Sequence, residues 1–372
     1  MKRIILIALI PIIACGCFVN AIHKYGTHAS DQLFTPAEFL NSIIILAQKN
    51  SLYANDVDWN ELRKEMTIKF IDNGSISSLK EPLIHMMTRL GDYHGSIIVN
   101  NEVYKGIIKR NRNVPYDYES RDYFKAMSAI YQKSLNEFNI RPSILDDSIA
   151  YIQIPLIHNN TGNENINIDC TQIIRNEICD LHKNNPKGYI IDLRGNIGGN
   201  FFPMLSGLGE LIPNMELGGD TKDGRTFHAK WRLINGSLYN NDYSIPNMPA
   251  PKCHINIGNR KIAVLIGRYT ASSGEAVASS LKGQKNIMLF GEQTAGASTT
   301  NAWVPISENV FCNLTVAYYM SVDKTVHKDG IIPDYEIIED YNPDNPTCGE
   351  TVRRAIDWIN YNDNIISILM KS

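Results

Sequence analysis

Hydrophobic positions in this chain first follow a helical period and then break into strand-like runs alternating with helical ones. From Thr35 to about Leu90, apolar residues recur at three- and four-residue spacing, as in TPAEFLNSIIILAQKN and SSLKEPLIHMMTRL. Thr35 stands ahead of Pro36 as a helix N-cap, so the segment reads as a small helical subdomain. Between Tyr104 and Phe138 the chain is polar and charged without a clean period, which predicts loops and one helix. An alternating strand begins near Ile149 (SIAYIQIPLI), a helix follows around residues 170–183, and GYIIDLRG gives the next strand. Residues 262–266, IAVLI, read as a buried strand, and Glu275 to Leu281 are helix formers without Gly or Pro. NIMLFGEQTAG, VFCNLTVAYYM and DGIIPDYEI supply further β-type runs. Parallel-type strands separated by helices predict a single α/β domain. The expected division is 1–17, a leader; 35–95, a helical subdomain; 96–345, the α/β domain; and 346–372, a C-terminal helix.

Composition narrows the possibilities. A hydrophobic content of 44% supports a substantial core, and 36 Lys plus Arg against 39 Asp plus Glu give no global pull toward nucleic acid. There is no Gly-x-Gly-x-x-Gly after a strand and no Gly-Lys-Ser/Thr loop, so nucleotide chemistry is not expected. MKRIILIALIPIIACGC has the layout of an export signal: a basic start, then an apolar stretch too short to span a bilayer comfortably. Ile12-Ile13-Ala14-Cys15 resembles the lipobox of bacterial lipoproteins, and Cys17 would also serve. The expectation is export to a bacterial cell envelope, with a membrane anchor through lipid on Cys15. Cys170, Cys179, Cys253, Cys312 and Cys348 lack zinc-like spacing and read as structural.

Candidate chemistry centres on YTASSGEAVASS, residues 269–280, where Ser272 and Ser273 fall at a strand-to-helix junction. The bland reading is a capping box between Ser272 and Glu275. The functional reading is a nucleophilic serine beside helix N-terminal amides, which needs a base elsewhere. In LRGNIGGN, Gly198 and Gly199 predict a tight turn with exposed N–H groups able to hold an anion. Of nine histidines, His94, in TRLGDYHGSIIV, is the one whose setting suits chemistry. Neutral imidazole, with an unperturbed pKa of about 6.5, can accept a hydroxyl proton at physiological pH.

LGDYH, YIIDLRGNIGG, RYTASSGEAVASSLKG, FGEQTAGAST and GIIPD, in that order, resemble the C-terminal processing (tail-specific) serine peptidase family. Within it the nearer likeness is to the tricorn-like branch, which includes the interphotoreceptor retinoid-binding proteins. The likeness runs from about Thr35 to Glu339. It implies a crotonase-like (ClpP-type) spiral α/β catalytic domain without metal or organic cofactor, acting on a polypeptide substrate. Ser272 matches the nucleophile, two places after Thr270, and His94 matches the general base. The backbone of Ser273 and of the Gly198-Gly199 pair matches the oxyanion hole, and Glu275 orients or caps. Two departures stand out: Ala297 occupies the position where many members carry a dyad lysine, and Gly95 precedes Ser96 where the branch commonly has serine directly after the histidine. Lys282 and Lys285 read as solvated helix-end lysines, and no glycine-rich peptide-binding loop of PDZ type is present. The acid orienting His94 stays open among Glu275, Asp92 and Asp329. The competing readings are a catalytically inactive ligand- or peptide-binding protein on the same fold, and an acyl-chain enzyme of crotonase type.

Overall fold

The computed structural model describes residues 35–69, 79–100, 102–109, 121–136, 138, 140–157, 164–245, 248–253, 255–307, 309–339 and 341–361. The leader with Cys15 and Cys17, and the chain beyond Tyr361, lie outside the described residues. The chain divides into two units, residues 1–109 with 300–316, and residues 110–299 with 317–372.

The first unit opens with helix α1 (Pro36–Asn50), started as the sequence predicts: Glu38 N–H donates to the Thr35 side chain, and Thr35 N–H donates back to the Glu38 carboxylate at 3.0 Å. Helices α2 (Trp59–Lys69) and α3 (Lys80–Leu90) follow, and α3 stops at Gly91, whose φ of 72° is the left-handed conformation glycine adopts without strain. The helical period buries Phe39, Ile43, Leu62, Leu83 and Met86 against Ile97, Cys312 and Leu314. Ile97 lies on strand Ser96–Val99, antiparallel to Glu102–Tyr104 on one side and to residues 310–313 of strand Val310–Met320 on the other.

The second unit is built on a six-stranded sheet in the order Tyr335–Glu336, Ile287–Gly291, Lys261–Ile266, Gly188–Asp192, Ile149–Gln153, Ser143–Leu145. All neighbours run parallel except the last pair. Helix α4 (Arg121–Asn136) precedes the sheet; α5 (Glu164–His182), α6 (Phe201–Leu208), α7 (Ser273–Leu281) and α8 (Glu350–Asn360) connect or follow its strands. Val352, Ala355, Trp358 and Ile359 of α8 cover Tyr151, Ile190, Ala263, Leu265 and Phe290 on one face. The alternate residues Ala150, Ile152, Ile191 and Val264 are buried as well, so both faces are covered. That double burial is why these strands read as unbroken apolar runs.

An antiparallel sheet completes the unit: Met215–Thr221, Ala229–Ile234, Ser237–Asn240 and Tyr243–Ser244 in sequence, with residues 318–320 pairing onto Met215–Thr221. Val310–Met320, expected as a parallel-type strand, is therefore antiparallel to its partners. An apolar run cannot reveal strand direction, and only residues 308–309 separate it from strand Thr299–Ser307, too few for the crossover a parallel neighbour requires. Cys179 and Cys253 are joined in a disulfide, Cys170 and Cys312 are buried thiols, and Cys348 is exposed. Among the described residues no helix is long and apolar enough to cross a membrane.

Candidate active site

Strands Gly188–Asp192 and Lys261–Ile266 are parallel neighbours, so the turns leaving their C-terminal ends lie side by side. Thr270 fastens the second turn: its Oγ1 accepts from Gly267 N–H at 3.0 Å and donates to the Leu193 carbonyl at 2.8 Å. Ser272 ends this turn immediately before α7, with φ 50° and ψ −115°. A residue with a Cβ is held there at a cost of about 1–3 kcal/mol, so the surroundings must fix it. They do so at the flanking residue and at Ser272 itself: Ala271 N–H donates to the Asn196 carbonyl at 2.9 Å, and Ser272 N–H to Glu275 Oε2 at 2.9 Å. The other Glu275 oxygen accepts from Thr294 Oγ1 at 2.5 Å and Gly296 N–H at 2.7 Å. Glu275 is fully buried, and Ser272 is the one half-buried residue between Ala271 and Leu281, so its side chain keeps access to solvent.

The glycine turn meets this serine. A Cβ on Gly198 (φ 123°) would come within 2.9 Å of Ser272 Cβ, and one on Gly199 (φ 100°) within 2.1 Å of the Ile157 carbonyl oxygen. Only glycine fits at either place. Ser273 Oγ donates to the Gly199 carbonyl at 2.5 Å, so its side chain joins the two turns. Gly198 N–H donates to Asn196 Oδ1 at 3.0 Å. Ser272, Ser273, Glu275, Gly198 and Gly199 are thus gathered in the second unit by hydrogen bonds and close contacts. Helix amides open to an incoming oxygen are suited to a developing negative charge.

His94 belongs to the first unit, half-buried on the turn between α3 and strand Ser96–Val99. Beside it Asp92 is fully buried: Oδ1 accepts from Gly95 N–H at 2.7 Å and Thr315 Oγ1 at 2.7 Å, and Oδ2 from Thr315 N–H at 2.9 Å. Burial raises its pKa, against donation from Thr315 and from the main chain of Gly95 and His94. A Cβ on residue 95 would sit 2.3 Å from the Asp92 carboxylate, which accounts for Gly95 after the histidine. Asn301 Nδ2 donates to the His94 carbonyl at 3.3 Å, and Thr315 Oγ1 lies 3.3 Å from Asn301 Oδ1. Asp92 therefore grips the backbone of the turn rather than the imidazole. Asp329 is exposed, and its carbonyl accepts from Gln293 Nε2 at 2.9 Å.

Other features were not readable in advance. Lys282, expected to be solvated, is only 14% exposed in its side chain and pairs with Asp334 at 2.6 Å. Asp192 and Arg194 of the DLR motif form a buried ion pair, extended by Tyr151 to Asp192 and by Arg194 to Glu339. Asn196, Thr270 and Thr294 fall inside the quoted motifs without a structural role being legible there, and Asn301 and Thr315 had no signal beyond their polarity inside apolar runs. Cys179, Glu210 and Cys253 place ligand-type atoms within 4.8 Å of one another, but the two sulfurs are bonded together and Glu210 faces Arg175 at 3.7 Å, so this set is already engaged.

The sequence profile of peptidase family S41 matches residues 148–337, just over half of the chain. The chain belongs to peptidase family S41. As an S41 peptidase it is a serine-type enzyme of the C-terminal processing kind, with polypeptide substrates. It is 26% identical to the nisin-resistance protein of Lactococcus lactis subsp. lactis over 363 residues, 96% of this chain and 97% of the relative. To the carboxy-terminal processing protease CtpA of Bacillus subtilis strain 168 it is 31% identical over 193 residues, 50% of this chain but 34% of that protein. This S41 chain thus spans nearly all of the first relative and about a third of the second. Its α/β fold is shared with two solved structures. A lipoprotein from Streptococcus agalactiae superposes with a TM-score of 0.59 at 20% identity, over 88% of this chain and 96% of that one. The photosystem II D1 C-terminal processing protease gives 0.52 at 15% identity, over 87% and 97%.

Proposed function

We propose that this S41 peptidase is an exported, lipid-anchored endopeptidase of a bacterial cell envelope that cleaves peptide bonds through an acyl-enzyme on Ser272. His94 takes the Ser272 proton as the hydroxyl oxygen bonds to the scissile carbonyl carbon, and returns it to the leaving amine as the C–N bond breaks. Water, deprotonated by the same imidazole, then releases the acyl group. Backbone amides of Ser273 and of Gly199 in the glycine turn face the oxyanion, Gly198 lets that turn come close to Ser272, and Glu275 fixes the Ser272 turn. The observation that carries this reading is the strained Ser272 backbone at the start of α7, packed against a turn where only glycine fits. Ala297 in place of the dyad lysine and the ion-paired state of Lys282 support a histidine base over a lysine base. Similarity along nearly the whole length of the nisin-resistance protein supports a nisin-like peptide as substrate.

Labelling with a fluorophosphonate probe, alongside hydrolysis of nisin, tests the assignment. Ser272→Ala should abolish both, Ser273→Ala should keep at least about a tenth of the activity, and His94→Ala should lower the rate by several orders of magnitude. Lys282→Ala should change it by less than about threefold. An inactive Lys282→Ala beside a normal His94→Ala would move the base to lysine. A wild-type protein that binds nisin but neither reacts with the probe nor cleaves peptides would favour the ligand-binding reading.

A further inference from the structure

Resting on Ser272 as nucleophile, we infer that Asn196 is the positioning residue of the oxyanion turn. It occupies the Gly198 N–H and leaves the N–H groups of Gly199 and Ser273 as the two donors to the substrate oxygen. Asn196 is fully buried, and its side-chain amide is used at both ends. Nδ2 donates to the carbonyls of Ile154 at 3.1 Å and Pro155 at 3.2 Å, while Oδ1 accepts from Gly198 N–H at 3.0 Å. Two acceptors on one side and a donor on the other fix which way the amide points. Its main chain is engaged too: the N–H donates to Leu193 and the carbonyl accepts from Ala271, both at 2.9 Å. A Cβ on Gly274 would sit 2.5 Å from the Asn196 carbonyl oxygen, so the first turn of α7 rests directly on this residue.

One residue therefore links the residues after strand Ile149–Gln153 and the glycine turn through its side chain, and the segment that presents Ser272 through its main-chain carbonyl. Neither Gly199 N–H nor Ser273 N–H meets an acceptor among the described residues. Gly199 is exposed, and Ser273 N–H opens α7, where the helix dipole favours negative charge. With its N–H committed, Gly198 contributes the close approach to Ser272 rather than a hydrogen bond.

The test compares Asn196→Ala and Asn196→Asp with wild type in kcat, KM and affinity for a peptide aldehyde, whose carbonyl carbon bonds to Ser272 Oγ and leaves an oxygen in the hole. Both variants should lose on the order of 10²-fold in kcat, with KM within about threefold and aldehyde affinity falling in step with kcat/KM. A merely structural role would lower the folded fraction and leave the rate per probe-titrated site at the wild-type value, which would overturn the inference. Amide hydrogen exchange on the wild-type enzyme, followed by NMR, covers the case in which neither variant folds. Gly198 should be protected in the free enzyme, whereas Gly199 and Ser273 should gain protection only in the aldehyde adduct. A Gly198 amide that exchanges freely and becomes protected in the adduct overturns the assignment. Ser272→Ala is the control: activity surviving it removes the nucleophile and this inference together, whereas an inactive Ser272→Ala beside a normal Asn196→Ala removes this inference alone.

Discussion

His327 is 4% exposed, with Nε2 2.6 Å from Ser321 Oγ and its carbonyl taken by Ser298 Oγ at 2.8 Å. Burial, and next the positive charge of Lys282, push its imidazole down to about 4, with Asp323 opposing. The folded state thus resists a proton that the unfolded chain accepts at an ordinary histidine pKa near about 6.5. Stability from this residue is intact above that value and is lost as pH falls from about 6.5 toward 4, amounting to about 3 kcal/mol in full. Urea unfolding of wild type and His327→Gln between pH 7 and pH 4 should show the pH slope flattened in the variant; parallel slopes would refute the claim. At this scale the sequence exposed what is local. Ser272 and Glu275 stand three residues apart at a helix start, and the bond between them follows from that spacing. His327 and Asn196 were missed because their roles depend on partners such as Ile154, 42 residues from Asn196.

Among the elements, α5 carries a long-range tether, the bond from Cys179 to Cys253 across 74 residues of chain. The tethered segment is also held by Glu210, which accepts from the N–H groups of Lys252 and Cys253. Closing a loop of that length removes unfolded-chain entropy worth about 4 kcal/mol in the loop-closure description. Cys179→Ser with Cys253→Ser should therefore lower unfolding stability in urea by about 2–4 kcal/mol, and equal stability of the variant and the oxidised protein would remove the tether from the account. Helix α1 was legible down to its capping box, because capping is decided within four residues. The direction of Val310–Met320 was not, because an apolar run is the same whichever way its neighbours point.

For the molecule as a whole, the proposed site of action depends on the leader. If Cys15 carries lipid, metabolic labelling with a fatty-acid analogue should tag the protein, and Cys15→Ser should remove the tag and release it from membranes. A tag that survives Cys15→Ser but is lost in Cys17→Ser shifts the site by two residues, and an untagged wild type leaves a secreted protein without an anchor. The sequence by itself determined the helical block after Thr35, the alternation of strands and helices, the serine at a helix start and the glycine turn. Each is a matter of side-chain period or backbone freedom over a few neighbouring residues. The tertiary structure decided what those pieces meet. Ser273 reaches Gly199 across 74 positions, Asp92 reaches Thr315 across 223, and residues 300–316 join the unit that holds the N-terminal helices. Such pairings are fixed by how the sheets bring distant segments together, because a hydrogen bond forms only within a few ångströms and depends on position in space rather than on separation along the chain.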